Sequence, residues 1–192
     1  MGIAMSRASD LSPEFVLLGL LAEGPSYGYE LHLRLKIEFQ NIWALSQSQC
    51  YTILKRLEAQ GALEGKLVQQ ESAPSRRQLR LTTAGRQRFR KWLTSPTPGS
   101  IRAIRVSFLA RLFFALQEGE IFAINIIEDQ KKMTRTSLER LENTLQLVPS
   151  SQVISQLSLQ LRIRQLQSCL EWLDECLVAI QGQNHLKGEP AS

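Results

Sequence analysis

Residues 46–85 contain a helix, a compact β element and the start of a further helix, and few folds accommodate that order. Ser46 and Gln49 have the spacing of a capping box, which starts a helix. Gly61 suits the left-handed residue that commonly follows the last turn of a helix. The threonine pair 82–83 can cap the next helix. The segment therefore predicts two helices with a short β element between them.

The β element is expected to be a hairpin. Residues 63–70 and 76–81 are short runs with strand composition, and residues 71–75 between them are rich in Ser, Ala and Pro. The connecting loop is therefore longer than the two residues of the tightest hairpins. A helix, a hairpin and a helix in this order predict a winged helix-turn-helix.

The positive charge of the chain is concentrated in the same region. The net charge is +5 over 192 residues. Residues 46–95 contain 10 Lys/Arg and 3 Asp/Glu, a balance of +7, whereas residues 96–192 contain 10 of each kind. A local excess of this size suits a polyanion such as nucleic acid.

The helix that begins after Ser46 has an inward side and an open side. Cys50, Ile53, Leu54 and Leu57 recur at helical spacing and are expected to face the core. The open side then carries side chains that can bind base edges or phosphates: Gln47, Ser48, Tyr51, Thr52, Lys55 and Arg56. The hairpin adds basic side chains that can follow a DNA backbone: Lys66, Arg76, Arg77 and Arg80. Together these are the candidate DNA-binding residues.

Two more helices are expected before this segment. Residues 12–14, Ser-Pro-Glu, have the pattern of a helix start, in which serine caps and proline takes the first helical position. Ser26 is expected to cap a second helix. We predict that residues 11–94 form one winged helix-turn-helix domain and that residues 1–10 before it are flexible.

The rest of the chain is predicted to be helical. Residues 95–100, with the sequence SPTPGS, are a linker by composition. One helix is expected over 101–116, and a longer one reaches about residue 148. The last helix covers roughly residues 152–181, on the order of 45 Å. The polar residues 182–192 are expected to be a disordered tail.

Apolar residues recur along the last helix at alternating spacings of four and three: Leu159, Ile163, Leu166, Leu170, Leu173, Leu177 and Ile180. Such a heptad seam packs against another helix, either in the same chain or in a second copy. We favour the second copy, because DNA-binding domains of this kind occupy paired half-sites and need a two-fold dimer. Residues 101–181 are therefore predicted to form an α-helical, coiled-coil-like dimerisation domain.

The sequence contains no motif for catalysis, a cofactor or a structural metal, so we expect no enzyme and no cofactor. His32 and His185 have no carboxylate or cysteine at ligand spacing. Cys169 and Cys176 lie seven residues apart, and reduced, partly buried thiols are expected there. The chain has no run of about 18 apolar residues and no signal peptide, which favours a cytoplasmic protein without membrane contact.

The chain resembles the PadR family of transcriptional regulators within residues 11–94. Four pieces carry the resemblance: LLGLLAEGPSYGYEL (17–31), Trp43 before a Leu-Ser helix start, YTILKRLEAQGAL (51–63) and RQLRLTTAG (77–85). The resemblance implies that Tyr51 lies near the DNA backbone and that a helical C-terminal domain dimerises. Members are typically repressors, and some are released from DNA by small molecules. The chain departs from the usual motif at three positions: Tyr27, Cys50 and Thr52.

These observations predict a mainly α fold with a small β-hairpin and a dimeric, sequence-specific DNA-binding regulator that acts as a repressor. The expected partners are double-stranded DNA with a palindromic operator, a second copy of the chain, and a small-molecule effector that the sequence does not identify. The alternative is a protein-interaction adaptor that uses the winged helix without binding DNA. The +7 balance of residues 46–95 argues against an adaptor, which needs no basic face.

Overall fold

The computed structural model of the chain describes residues 13–70 and 73–185. The chain divides into two compact units, and the boundary lies between Ser95 and Pro96. The predicted flexible N-terminus, the capping serine at position 12 and residues 186–192 of the predicted tail lie outside the described residues.

The described part of the first unit contains four helices and three strands. In chain order they are α1 (Glu14–Glu23), β1 (Ser26–Tyr27), α2 (Gly28–Glu38), α3 (Gln47–Ala59), β2 (Leu63–Gln70), β3 (Ala73–Leu81) and α4 (Thr83–Thr94). β3 lies between β1 and β2 and pairs antiparallel with both. The prediction of a mainly helical fold with a hairpin is confirmed, and β1 adds a third, two-residue strand to the sheet.

α1 lies at the centre of the first unit. Residues 14–21 are all buried, as expected for a helix that is apolar nearly all round. The Phe15 ring stacks on Trp92 of α4, with the ring centroids 5.1 Å apart. Leu31 of α2 and Leu57 of α3 are completely buried. This packing fixes α3 against the core by one side and leaves its other side open.

Two helix starts differ from the predicted ones. Pro13 is the N-cap residue of α1 and not its first helical residue. Tyr27, and not Ser26, is the N-cap residue of α2; both residues form β1 and pair with β3. The Glu30 carboxylate accepts hydrogen bonds from the Tyr27 amide at 3.1 Å and the Ser26 hydroxyl at 2.8 Å. These bonds, the amide first, lower the pKa of Glu30, which keeps a negative charge at the positive end of α2.

The described part of the second unit is helical. In chain order it contains α5 (Ile101–Ala103), a π-helical turn π1 (Ile104–Phe108), α6 (Leu109–Glu118), α7 (Glu120–Leu147) and α8 (Val153–His185). A π turn therefore interrupts the single α-helix predicted over 101–116. The mixed apolar and basic sequence gives no signal for this wider turn, which commonly occurs singly inside an α-helix. α8 also continues past the predicted helix end at residue 181.

α7 and α8 are joined by residues 148–152 and pack as an antiparallel helical hairpin. The heptad seam of α8 is used inside this hairpin: Ile163, Leu166 and Leu173 are 8%, 3% and 0% exposed. These three side chains are buried within the second unit itself, and the role of the seam in dimerisation stays a prediction. The other seam residues are half-buried: Leu159, Leu170, Leu177 and Ile180.

No helix in the described residues is both long enough and apolar enough to cross a bilayer.

Candidate nucleic-acid interface

α3 presents the open side that its sequence predicts. The capping box is formed. The backbone N–H of Gln49 donates to Ser46 Oγ at 3.2 Å, and the backbone N–H of Ser46 donates to Gln49 Oε1 at 2.9 Å. Cys50, Leu54 and Leu57 are buried beneath the helix. The six candidate contact residues of α3 are all exposed: Gln47, Ser48, Tyr51, Thr52, Lys55 and Arg56. The helix therefore offers hydrogen-bonding and cationic groups along one accessible side.

Most of these groups are free to bind a partner. The side chains of Gln47, Ser48 and Lys55 make no hydrogen bond or ion pair with another described residue. Thr52 Oγ1 donates to the Ser48 carbonyl at 2.9 Å, but a hydroxyl oxygen retains lone pairs that can accept a further hydrogen bond. An amide, two hydroxyls and an ammonium group are thus available to base edges.

Arg56 is engaged in an ion pair at the edge of this open side. Its Nη2 donates to Glu14 Oε2 of α1 at 2.8 Å, and Arg88 of α4 contacts the other carboxylate oxygen. The Glu14 side chain is only 6% exposed, whereas that of Arg56 is 51% exposed. A buried carboxylate needs its cationic partners, because an uncompensated buried charge costs about 3–5 kcal/mol. Arg56 therefore connects α3 to α1.

β2 and β3 place three basic residues on one outward face. Opposed residues of an antiparallel pair share a face, and the register opposes Glu64 to Arg80 and Lys66 to Gln78. Alternation along β3 adds Arg76 to the same face. Arg80 Nε donates to Glu64 Oε1 at 2.9 Å. Because exposed ion pairs are worth only about 0–1 kcal/mol, Arg80 can exchange Glu64 for a phosphate.

Arg77 does not belong to this outward row. It lies on the opposite face of β3, the face of the buried Leu79, and its guanidinium contacts the Glu58 carboxylate of α3. Neighbouring residues of a strand point to opposite faces, so Arg77 leaves β3 on the other side from Arg76 and Arg80; the joint contact of the three arginines with DNA stays a prediction. Arg77 and Arg76 both reach the space between the hairpin and α3.

That space is a groove of about 760 Å³, which we call the α3–wing groove. It lies between the start of α2, the open side of α3 and β3. Its lining carries three cations and one carboxylate among aromatic and aliphatic groups: Tyr27, Gly28, Tyr29, Tyr51, Leu54, Lys55, Glu58, Arg76, Arg77 and Leu79. A concave surface with this charge suits an anionic segment of a partner.

Tyr51 lines this groove and is held by a close approach to the backbone of α2. A Cβ atom at position 28 would lie 2.7 Å from Tyr51 Cε1, so Gly28 leaves the room that the ring needs. The Tyr51 side chain remains exposed. Its hydroxyl can therefore donate to a phosphate oxygen.

Two contacts made by side chains of α2 could not be predicted from the sequence pattern. The Arg76 guanidinium lies over the Tyr29 ring, 5.8 Å from its centroid, which is a cation–π contact. His32 Nε2 lies 3.0 Å from the Leu45 carbonyl oxygen and connects α2 to the turn before α3. Both contacts join residues that no helical or strand spacing relates, so no local pattern signals them.

Two family models match the chain, one in each compact unit. Residues 17–91 match the model described as "Transcriptional regulator PadR-like family". Residues 104–181 match the model described as "Virulence activator alpha C-term". The first match contains α3, both strands of the hairpin and the α3–wing groove.

Known proteins are similar over most of the chain. The "Negative transcriptional regulator PadR" of Bacillus subtilis (strain 168) is 24% identical over 140 residues, which are 72% of this chain and 75% of that protein. The structure of Bacillus subtilis PadR in complex with operator DNA is similar with a TM-score of 0.41 and 23% identity, over 85% of this chain and 97% of that one. The same protein in complex with p-coumaric acid is similar with a TM-score of 0.40 and 22% identity, over 88% and 98%. The first unit of the chain therefore matches the PadR-like family of transcriptional regulators over residues 17–91, and the chain is similar to a curated PadR protein at 24% identity.

Proposed function

We propose that the chain is a dimeric repressor that binds an operator in double-stranded DNA through α3 and the hairpin. One observation carries the proposal: the open side of α3 displays unengaged hydrogen-bonding groups beside the basic α3–wing groove. An α-helix fits the major groove of B-DNA, where each base pair presents a distinct pattern of donors and acceptors. Residues 11–94 would be the DNA-binding domain and residues 95–100 its linker.

The candidate residues divide by role. Gln47, Ser48, Thr52 and Lys55 lie where base edges would be and would discriminate between sequences. Lys66, Arg76 and Arg80 share the outward face of the hairpin and would bind phosphates, as would Tyr51 from α3. Arg56 and Arg77 would act mainly by positioning α3, since each is paired with a carboxylate of the same unit.

The phosphate role is tested by exchanging single lysines. Lys66→Gln should weaken binding to a random-sequence duplex severalfold and reduce the slope of log affinity against log salt by about 1, because one phosphate contact is lost. Lys36→Gln is the matched control: it removes the same charge from an exposed position of α2 outside the groove. Fluorescence anisotropy across a salt series measures both quantities.

Equal effects of the two substitutions would show that binding depends only on net charge and would contradict a contact between the hairpin and DNA. A wild-type chain that binds no duplex at low salt would favour the adaptor.

Dimerisation is proposed through the exposed face of α8. Ile154, Leu157 and Leu161 follow a 3-4 spacing and are 79%, 55% and 59% exposed. Three apolar side chains in one stripe are typical of a helix that packs against a further helix. A two-fold contact here would present two copies of α3 to paired half-sites. The seam lies on the opposite side of α8, since Leu157 and Leu159 are separated by about 200° of helix rotation.

This contact is tested by the double substitution Leu157→Asp and Leu161→Asp, which should convert the dimer to monomer in sedimentation velocity. Ile121→Asp is the control, since Ile121 is 78% exposed on α7 and lies outside the stripe. A dimer that survives the double substitution would exclude this face of α8.

The proposal also includes a cytoplasmic location, absence of enzymatic activity and control by a small-molecule effector. The location follows from the DNA partner. The effector follows from the family resemblance, and the α3–wing groove does not identify it.

A further inference from the structure

A groove in the second unit contains four arginines whose guanidinium groups pair with no described residue. Its volume is about 620 Å³, and it lies between the segment before π1 and the α7–α8 hairpin. We call it the arginine groove. Four of its lining residues are arginines and none is acidic: Arg102, Arg105, Arg140 and Arg162. These arginines are 4 of the 10 Lys/Arg of residues 96–192, a region with no net charge.

The four guanidinium groups are exposed and make no hydrogen bond or ion pair with any described residue. One cation of the same unit, Lys131, is paired: its Nζ lies 2.8 Å from Asp174 Oδ1 and 3.0 Å from Glu128 Oε1. These two carboxylates lie outside the arginine groove. Four like charges in one concavity repel each other, which an anion bound among them would relieve.

The rest of the groove resembles the lining of a small-molecule site. Ile101, Leu141 and Leu166 supply an apolar floor, and Ser100, Ser137 and Gln165 supply polar groups. The volume falls in the range of about 300–1,000 Å³ that such sites occupy. An organic anion with an apolar part can cover this floor.

Phosphate is the anion that this charge fits best. A guanidinium presents a planar fork of donors that matches the oxygens of phosphate and carboxylate groups alike, so the charge of the anion decides between them. One phosphate group carries roughly −1.5 to −2 charges at neutral pH, so about two phosphates neutralise four arginines. We propose that the arginine groove binds a small organic ligand with two or more phosphate groups.

The arginine groove includes residues near the start of the second unit. A Cβ atom at position 99 would lie 2.6 Å from the Met133 carbonyl oxygen, so Gly99 lets the start of the unit lie directly against α7. Gly99 and Ser100 are themselves lining residues. A bound ligand would thus contact the segment that follows the DNA-binding unit in the chain, as an effector would.

The site is tested by isothermal titration calorimetry of the full chain, without DNA, at fixed low ionic strength. The probes are inorganic phosphate, inorganic tripolyphosphate and ADP. We expect tripolyphosphate and ADP to bind at least about tenfold more tightly than phosphate, since one more charge-assisted contact is worth about 1.5–3 kcal/mol. No heat with any probe would overturn the proposal, whatever the chain does with DNA.

Paired variants locate the binding. Arg140→Gln with Arg162→Gln should weaken tripolyphosphate binding tenfold or more. Lys132→Gln with Arg135→Gln removes the same charge from exposed positions of α7 outside this groove and should change it less than twofold. Circular dichroism confirms folding of each variant, and the Arg→Lys versions of the first pair should restore part of the affinity.

Equal losses in the two pairs would mean unspecific attraction and would contradict a built site. The same variants are titrated with a random-sequence duplex. If the first pair weakens duplex binding as much as tripolyphosphate binding, the arginines contact DNA phosphates and the small-ligand proposal fails.

Discussion

At the scale of single residues, the position of Tyr51 depends on an absent side chain. The Gly28→Ala substitution would force a Cβ atom to within 2.7 Å of the Tyr51 ring, and overpacking of this kind costs about 1–3 kcal/mol. We expect a lower free energy of unfolding in urea and weaker duplex binding, because the ring must move. Gly24→Ala is the control, since a Cβ there meets nothing within 4 Å. Equal behaviour of the two variants would contradict this role for Gly28.

A second residue-scale prediction concerns Glu64, which competes with DNA for Arg80. Glu64→Gln should raise duplex affinity about two- to fivefold, because a surface ion pair is worth up to about 1 kcal/mol and its loss frees the guanidinium. Glu38→Gln removes a carboxylate that is paired with Arg34 on α2. If both substitutions raise affinity equally in anisotropy titrations, Arg80 has no special role.

The buried Cys50 thiol should make the free energy of unfolding depend on pH. Burial raises the pKa of the Cys50 thiol to about 11, from an ordinary value of 9.0. The unfolded thiol therefore loses its proton at lower pH than the folded one, and the unfolding free energy falls as the pH rises above 9. Relative to Cys50→Ala, the wild-type chain should lose about 1 kcal/mol by pH 10. A constant difference between the two chains from pH 7 to 10 would contradict the burial of this thiol.

At the scale of elements, local patterns predict what local forces decide. The capping residues of α3, most of its buried side and the presence of the hairpin follow from spacing that the sequence displays, whereas the start of β3 at Ala73 and the hairpin register do not. Local spacing does not show which other helix an apolar seam packs against. The heptad seam of α8 has the same spacing whether α7 or a second copy covers it, and α7 carries Lys131 and Thr134 where apolar residues would have revealed the match. Likewise, β1 forms only because β3 is present to pair with it.

The use of the seam can be measured through stability. Leu173 is completely buried and Leu161 is 59% exposed. Leu173→Ala should cost about 2–5 kcal/mol in urea unfolding at low protein concentration, and Leu161→Ala less than about 1 kcal/mol. If Leu173→Ala instead leaves stability unchanged and weakens only self-association, the seam belongs to the dimer contact after all.

At the scale of the whole molecule, charge and fold point to the same surface. The +7 balance of residues 46–95 could have been spread over a solvated face, but the fold brings Lys55, Arg76 and Arg77 to one groove beside the open side of α3. The composition predicts an excess of positive charge in this region, but it does not predict the surface on which that charge lies. The arginine groove is not predicted by composition either, because residues 96–192 have no net charge. Its four arginines come from three separate segments of the chain.

The central claim is that α3 reads a DNA sequence as part of a two-fold dimer. Selection of bound duplexes from a random pool at fixed salt tests it most directly. We expect an enriched palindromic consensus with half-sites about one helical turn apart, and we expect its loss when Gln47 and Ser48 are both replaced by Ala. Binding without any enriched sequence, or enrichment that survives the double replacement, would contradict it.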